Sequence, residues 1–305
     1  MLIDRIASDA WTGRLSAEQG RACGELLEQG RILLIRDSTF LVSAHDQALL
    51  TGILPAFVSA KNISYDPKSG DLHGLRRCAD INLVREALAR YSTAISRLLG
   101  VLIPQYTSSW KVTLSSFRPI EEAGRGLSGR YRNDRLHIDS FPSRPTNGDR
   151  ILRCFTNLNP SQPRVWLTSH ALDDLCYRKL GTGFRHLGAD TKSGLLRKLR
   201  THLAEACGIS APRSPYDRFM LRLHDRMKSD PSFLAAPGYR HEFSPRSTWL
   251  VFTDAVPHAV LEGRFALEQT MIIARKTLLL PEMAPVAFVE RVLGNRVTNA
   301  VSFRN

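Results

Sequence analysis

Apolar and polar positions along the chain switch between a helical and a strand period, and the switches divide it into blocks. Ser16 to Gln19 (SAEQ) has the form of a capping box, and the helix it starts is predicted to stop at Gly30, where RILLIRD begins as a buried strand. A second helix is predicted from about Ser43, stopping before Pro55, and KNISYDPKSGDLHGL, with Pro67, Gly70 and Gly74, reads as a loop. In DINLVREALARYSTAISRLLG, Leu83, Ala87, Tyr91 and Ile95 fall on one helical face, and Gly100 ends the helix. Both later helices read as cover for a sheet.

From Tyr106 to Phe117 the period becomes two and strands begin. EEAGRGLSGRYRND is polar, glycine-rich and basic, either a long loop at the mouth of a site or a solvated connector. LHIDSF reads as a short strand, PSRPTNGD as turns, and RILRCFTNLN as a strand with Ile151, Arg153, Phe155 and Asn157 on one face and Leu152, Cys154, Thr156 and Leu158 on the other. From His170 to Asp230 the pattern is helical: Leu195, Leu196, Leu199 and Leu203 oppose Arg197, Lys198 and Arg200, and PYDRFMLRLHDRMK is a further basic helix. These helices lie either against an anionic surface or, more simply, against the core. Strands return from HEFSPRSTW onward, broken by Pro245, Pro257 and Gly263, and PVAFVERVLGNRV reads as a last amphipathic helix, a candidate membrane or subunit contact. A strand set that returns so late in the chain fits a closing barrel.

The 305 residues, 43% of them hydrophobic, suffice for a sizeable core and exclude disorder and fibre. A formal charge of +13 calls for an anionic partner: nucleic acid, a membrane surface or a phosphorylated substrate. No zinc-finger spacing or aromatic RNA-binding motif accompanies the charge, so nucleic acid is not expected. The five cysteines are scattered without a C-x-x-C and read as reduced thiols of a cytosolic protein. No leader-like start and no apolar run of spanning length is visible, so a soluble or peripheral protein is expected.

Candidate chemistry centres on the stretch Arg135 to Trp166. His137 and Asp139, two apart on a strand, leave the same face and can grip one ion together. With His258, delivered 121 residues after His137, they would form a two-histidine, one-carboxylate triad that leaves open positions on Fe(II). A His-x-Asp pair alone is more often a hydrogen-bonded pair on a strand than a metal site. Arg153 on a core-facing strand requires an anion, either a bound carboxylate or a structural Asp or Glu. Trp166 is a core residue or the wall of a pocket. His45 beside Asp46 and His224 beside Asp225 lie on predicted helices where neighbours point apart, so neither pair is read as a ligand set.

The segments HIDSFPSRPTNGDRILRCFTNLNPSQPRVW, SSFRPIEEAGR, SPYDRFMLRLHD and STWLVFTDAVPHAVLEGRFALEQT closely resemble the Kdo (3-deoxy-D-manno-oct-2-ulosonic acid) hydroxylase family. These are Fe(II)- and 2-oxoglutarate-dependent dioxygenases of Gram-negative bacteria that act on Kdo attached to lipid A. The likeness runs from about Lys61 to Thr270. It implies a double-stranded β-helix or jelly-roll, and the element pattern then gives one domain, mainly β with flanking helices (α+β): a helical buttress over about 1–100, the β core over 101–280 with a helical insertion at about 170–230, and a helical tail over 281–305. It also implies hydroxylation at C3 of Kdo to give Ko with succinate and CO2 as co-products, Fe(II) held by His137, Asp139 and His258, and 2-oxoglutarate and O2 as co-substrates. The protein would sit at the cytoplasmic side of the inner membrane. Rival readings are an oxygenase with another acceptor and a non-catalytic binder of anionic lipid or nucleic acid.

Many 2-oxoglutarate oxygenases place an Arg or Lys shortly after the distal histidine, but here Gln269 and Thr270 occupy that region, with Arg264 too early and Arg275 late. The co-substrate anchor is therefore assigned to Arg153 or Arg118, with Asn157, Trp166 and Gln269 in supporting contacts. Arg125, Arg130, Arg132 and Arg135 of the mouth loop, with Arg144 and Arg150 nearby, are the expected contacts to sugar and phosphate groups.

Overall fold

The computed structural model describes residues 3–6, 15–53, 55–76, 80–124, 126, 129–180, 183, 187 and 213–299. Its strands are β1 (Ile3–Arg5), β2 (Ile32–Ile35), β3 (Ile63–Tyr65), β4 (Leu72–His73), β5 (Lys111–Arg118), β6 (Arg150–Asn157), β7 (Arg164–Thr168), β8 (Tyr239–Phe243), β9 (Thr248–Phe252), β10 (His258–Glu262) and β11 (Ala266–Ile273). One sheet has the order β1-β2-β9-β6-β11-β5-β3-β4 and a smaller one the order β10-β7-β8. Every pairing is antiparallel except β1 with β2. The chain passes repeatedly between the two sheets, as a double-stranded β-helix requires.

The period of two decides what each face carries. On β6 and β11, Leu152, Cys154, Leu267 and Met271 point to a large apolar cluster shared with helices α1 (Ala17–Glu28), α2 (Ala44–Thr51) and α3 (Ile81–Leu102). The opposite face turns Phe155 toward Trp166, Phe243, Trp249 and Val260, which fill part of the space between the sheets. A third cluster joins α4 (Leu172–Leu180), α5 (Pro215–Ser229), the short α6 (Pro231–Leu234) and α7 (Pro285–Leu293) to Leu136 and Ile138. The apolar side of α7, Val286, Phe288, Val289 and Val292, is buried there. The apolar stripe expected at residues 195–203 lies outside the described residues.

The capping box forms as expected, with Gln19 N–H donating to Ser16 Oγ at 3.1 Å and Ser16 N–H to Gln19 Oε1 at 2.8 Å, and Gly30 takes φ 77° beyond the helix end. Three local expectations are corrected. KNISYDPKSGDLHGL is a β3–β4 hairpin rather than a loop, with Tyr65 opposite Leu72, because β3 also finds an edge on β5. Leu83 is 41% exposed, and the buried stripe of α3 is Val84, Ala87, Leu88, Tyr91 and Ile95; the helix continues through Gly100 and ends just before Pro104. LHIDSF contributes an isolated bridge at His137 instead of a full strand. Among the described residues Cys23, Cys154 and Cys176 are free thiols, and no helix is long and apolar enough to cross a membrane.

Candidate metal centre and active site

His137 and His258 are antiparallel partners, with His137 N–H donating to His258 C=O at 2.9 Å and the reverse bond at 2.8 Å. Paired residues put their side chains on one face, and the two imidazole centroids lie 4.6 Å apart. Two residues on, Asp139 N–H donates to Thr253 C=O at 2.8 Å, so this segment ties β10 to the end of β9 and closes one end of the β-helix. The result is a buried group of His137, Asp139 and His258 whose ligand atoms all fall within 4.8 Å of one another. Each histidine also has its Nδ1 fixed on a backbone carbonyl two residues upstream, His137 on Arg135 and His258 on Val256, both at 2.8 Å. Donation from Nδ1 leaves Nε2 as the lone-pair nitrogen, the tautomer a metal ligand needs. Two imidazole nitrogens and a carboxylate oxygen form a donor set that suits Fe(II).

Electrostatics keep these groups in ligating form. Burial lowers the pKa of His258, and burial together with the neighbouring His258 drives His137 well below its ordinary value. Burial pushes the Asp139 carboxyl up, but neighbouring positive charge, Arg153 foremost, outweighs it and holds the carboxyl far below the usual range. Burial also lowers His224. An unfolded chain takes protons on these histidines near pH 6.5 whereas the folded metal-free protein refuses them, so stability falls as pH drops through that value. Each histidine contributes up to about 1.4 kcal/mol per pH unit there. Asp139 adds stability lost only in far stronger acid. The urea midpoint of the metal-free protein is therefore expected to drop clearly between pH 7.5 and 5.5; an unchanged midpoint would mean the imidazoles protonate in place.

Around the triad lies a cavity of about 800 Å³. Trp166, fully buried, stacks on His258 with centroids 5.0 Å apart and meets Phe155 edge-on at 4.8 Å, so it walls the cavity and belongs to the core as well. The floor carries Arg118, Arg153 and Arg164 from β5, β6 and β7. Their counter-ions are Glu268, Glu122 and, for Arg153, Asp139: Arg118 Nη2 is 2.7 Å from Glu268, Arg153 Nη2 also 2.7 Å with its Nη1 2.9 Å from Asp139, and Arg164 Nη2 is 3.8 Å from Glu122. Arg153 is thus both an internal ion-pair member and a cavity residue. Burial lowers Arg164 to about 10, still protonated at neutral pH. Its seat depends on Gly263, at φ 112°, whose carbonyl accepts from Arg164 Nη1 at 2.9 Å and where a Cβ would come 3.0 Å from Arg164 Cα. Arg164 was detectable in PRVW as the same-face neighbour of Trp166, and Glu268 as the same-face neighbour of Thr270, which stands opposite Arg153.

Gln269 and Asn157 lie elsewhere. Gln269 points away from the cavity, accepting from Ser115 and donating to the Thr113 carbonyl at 3.0 Å, because it alternates with Glu268. Asn157 bonds the Gln162 and Phe243 carbonyls at 3.0 Å and shapes the turn after β6. The expected mouth arginines are also engaged differently. Arg150 is buried over the Phe252 ring and bonded to Asp254 at 2.8 Å; Arg132 pairs with Asp134; Arg135 donates to the Lys228 carbonyl at 2.7 Å. Arg144 lies over Phe141, outside the lining, while Arg125 and the Arg130 side chain fall outside the described residues. The basic wall is built instead by α5 and the residue before its cap: Arg213, Arg218, Arg222 and Lys228, facing Lys61. Burial lowers Lys228 to about 8. His224, set aside from the sequence, also lines the cavity, with Nδ1 on the Ile138 carbonyl at 2.6 Å. Helical spacing from Arg218 through Leu221, Arg222 and Asp225 to Lys228 was the available signal.

Residues 10–296 match the family model described as 3-deoxy-D-manno-oct-2-ulosonic acid (Kdo) hydroxylase. Among solved structures the chain is similar to the Kdo hydroxylase KdoO, a non-haem Fe(II), alpha-ketoglutarate-dependent dioxygenase. The apo form matches at 35% identity and TM-score 0.86 over 100% of both chains, and the complex with alpha-ketoglutarate and Fe(III) at 35% and 0.85 over 100% of both. The complex with succinate and Fe(III) matches at 35% and 0.84 over 99% of each chain. A search of curated proteins returns no match.

Proposed function

The chain belongs to the Kdo hydroxylase family, and from that membership we propose that this Fe(II)- and 2-oxoglutarate-dependent dioxygenase hydroxylates C3 of a Kdo residue carried on lipid A to give Ko. The observation that carries the site assignment is a His-Asp-His ligand group inside a cavity where eight lining residues are Lys or Arg and two are Asp. His137, Asp139 and His258 would hold the iron. Bound iron with 2-oxoglutarate and O2 supplies the oxidising power, with succinate and CO2 as co-products. Arg118, Arg153 and Arg164 offer guanidinium groups for the distal carboxylate of the co-substrate; Arg118 Nη1 and Arg164 Nε are buried with no hydrogen-bond partner in the protein, so a bound anion would satisfy them. Trp166 and Phe155 exclude water around them.

The anionic sugar and its phosphates are assigned to the α5 wall, Arg213, Arg218 and Arg222, with Lys61 opposite. Residence at the cytoplasmic face of the inner membrane is supported by the charge of +13. The test is succinate release under air with Fe(II) and 2-oxoglutarate, with and without Kdo-lipid A, together with the lipid mass. Lipid-dependent succinate and a gain of one oxygen support the reading; succinate without oxygenated lipid would reopen the acceptor, and its absence from iron-loaded protein would end the reading. The Arg218→Gln/Arg222→Gln variant loses two cations worth about 1 kcal/mol each near an anionic surface, so KM for the lipid is expected to rise roughly thirtyfold. An unchanged KM would remove α5 from the substrate site.

A further inference from the structure

Six charges of alternating sign run from the metal centre across the cavity floor: Asp139, Arg153, Glu268, Arg118, Glu122 and Arg164. The successive separations are 2.9, 2.7, 2.7, 3.7 and 3.8 Å. All these side chains are nearly enclosed, so each charge depends on its neighbours for compensation.

Asp139 divides its oxygens between two tasks. Oδ1 lies 4.0 Å from His137 Nε2, while Oδ2 lies 2.9 Å from Arg153 Nη1, an ion pair without hydrogen-bond alignment. The carboxylate therefore has one oxygen facing a ligand nitrogen and the other against a cation. A guanidinium at that distance competes with a metal ion for the carboxylate charge. Glu268, 2% exposed on β11, takes the other arm of the same guanidinium and is itself no member of the ligand group.

We propose that Glu268 is a positioning residue for the metal: by sharing Arg153 with Asp139, it holds that guanidinium compensated and fixed, so Asp139 presents a single oxygen to a divalent cation. A one-oxygen aspartate leaves coordination positions for the co-substrate. With Glu268 neutral, the full charge of Arg153 falls on Asp139, and the metal has to compete with it. The proposal rests on reading the triad as a metal site.

Co(II) titrated into metal-free protein, with no dicarboxylate present and followed by its visible absorption, tests this without turnover. Glu268→Gln keeps the shape and removes the charge, and its Co(II) Kd is expected to rise about tenfold or more, the usual range for losing an outer-shell partner. In an Arg153→Gln background the same substitution is expected to change Kd by less than about threefold, because the route to Asp139 is gone. If E268Q does not fold, Glu268→Asp, which keeps the charge but reaches less far, carries the same comparison with a smaller rise. A fall in Tm with unchanged Kd, or an equal rise in both backgrounds, overturns the proposal. Wild-type protein that failed to bind Co(II), or His137→Ala that bound it as tightly, would bring down the metal reading itself.

Discussion

His137→Ala is expected to abolish lipid-dependent succinate formation, by roughly a thousandfold or about 4 kcal/mol of barrier, and to lose Co(II) binding with it. The loss follows from geometry. His137 is anchored by two backbone bonds to His258 and by its Nδ1 on the Arg135 carbonyl, so its ring is fixed beside the His258 ring and the Asp139 carboxylate. The informative comparison is His224→Ala. Its ring meets His137 edge-on with centroids 5.3 Å apart and lines the same cavity, yet it stands outside the group of three ligand atoms. Co(II) affinity in that variant is expected to stay within about threefold of wild type. Equal loss in the two variants would mean that the ligand set includes α5.

The second large effect is on stability. Arg118→Met removes a cation bonded to Glu268 at 2.7 and 3.0 Å and lying 3.7 Å from Glu122, all in the protein interior. Burial disfavours the charge of Glu268, and Arg118 and Arg153 together overcome it. Breaking one partner of such a pair costs about 3–5 kcal/mol, because the carboxylate left behind is buried without its counter-charge. In a chain of this size that corresponds to a fall of roughly 10 °C in Tm, read by calorimetry on the metal-free protein. Adding Glu268→Gln to Arg118→Met is expected to recover part of the loss, since a neutral amide needs no counter-ion. A single variant as stable as wild type would mean that water reaches the floor of the cavity. In the folded fraction, KM for 2-oxoglutarate is expected to rise roughly tenfold or more from loss of a charge-assisted contact.

Legibility differed by element. The SAEQ cap, the RILLIRD strand and the two faces of RILRCFTNLN were readable because capping and strand alternation are local rules acting over a few residues. The β3–β4 hairpin was not, since turn-rich residues favour a strand there only when β5 offers an edge. Nor was the shift of the α3 stripe from Leu83 to Val84, which depends on the sheet the helix lies on. Within the candidate site, the position of Gln269 after the distal histidine suggests a supporting contact to the co-substrate, whereas alternation with a buried Glu268 turns it to the other face.

The sequence by itself determined the chemistry available: a His-x-Asp pair, a late histidine, arginines on core strands and a strong positive charge. It also determined the family, because long motifs such as HIDSFPSRPTNGDRILRCFTNLN constrain identity more than any composition does. Only the tertiary structure decided which cations meet which anions. Arg150 and Arg153 sit on one strand three residues apart, yet one is sealed against Asp254 and Phe252 while the other reaches Asp139 and Glu268. Ion pairing acts across strands brought together from distant parts of the chain, over a few ångströms and irrespective of sequence separation, so a one-dimensional pattern carries no record of it.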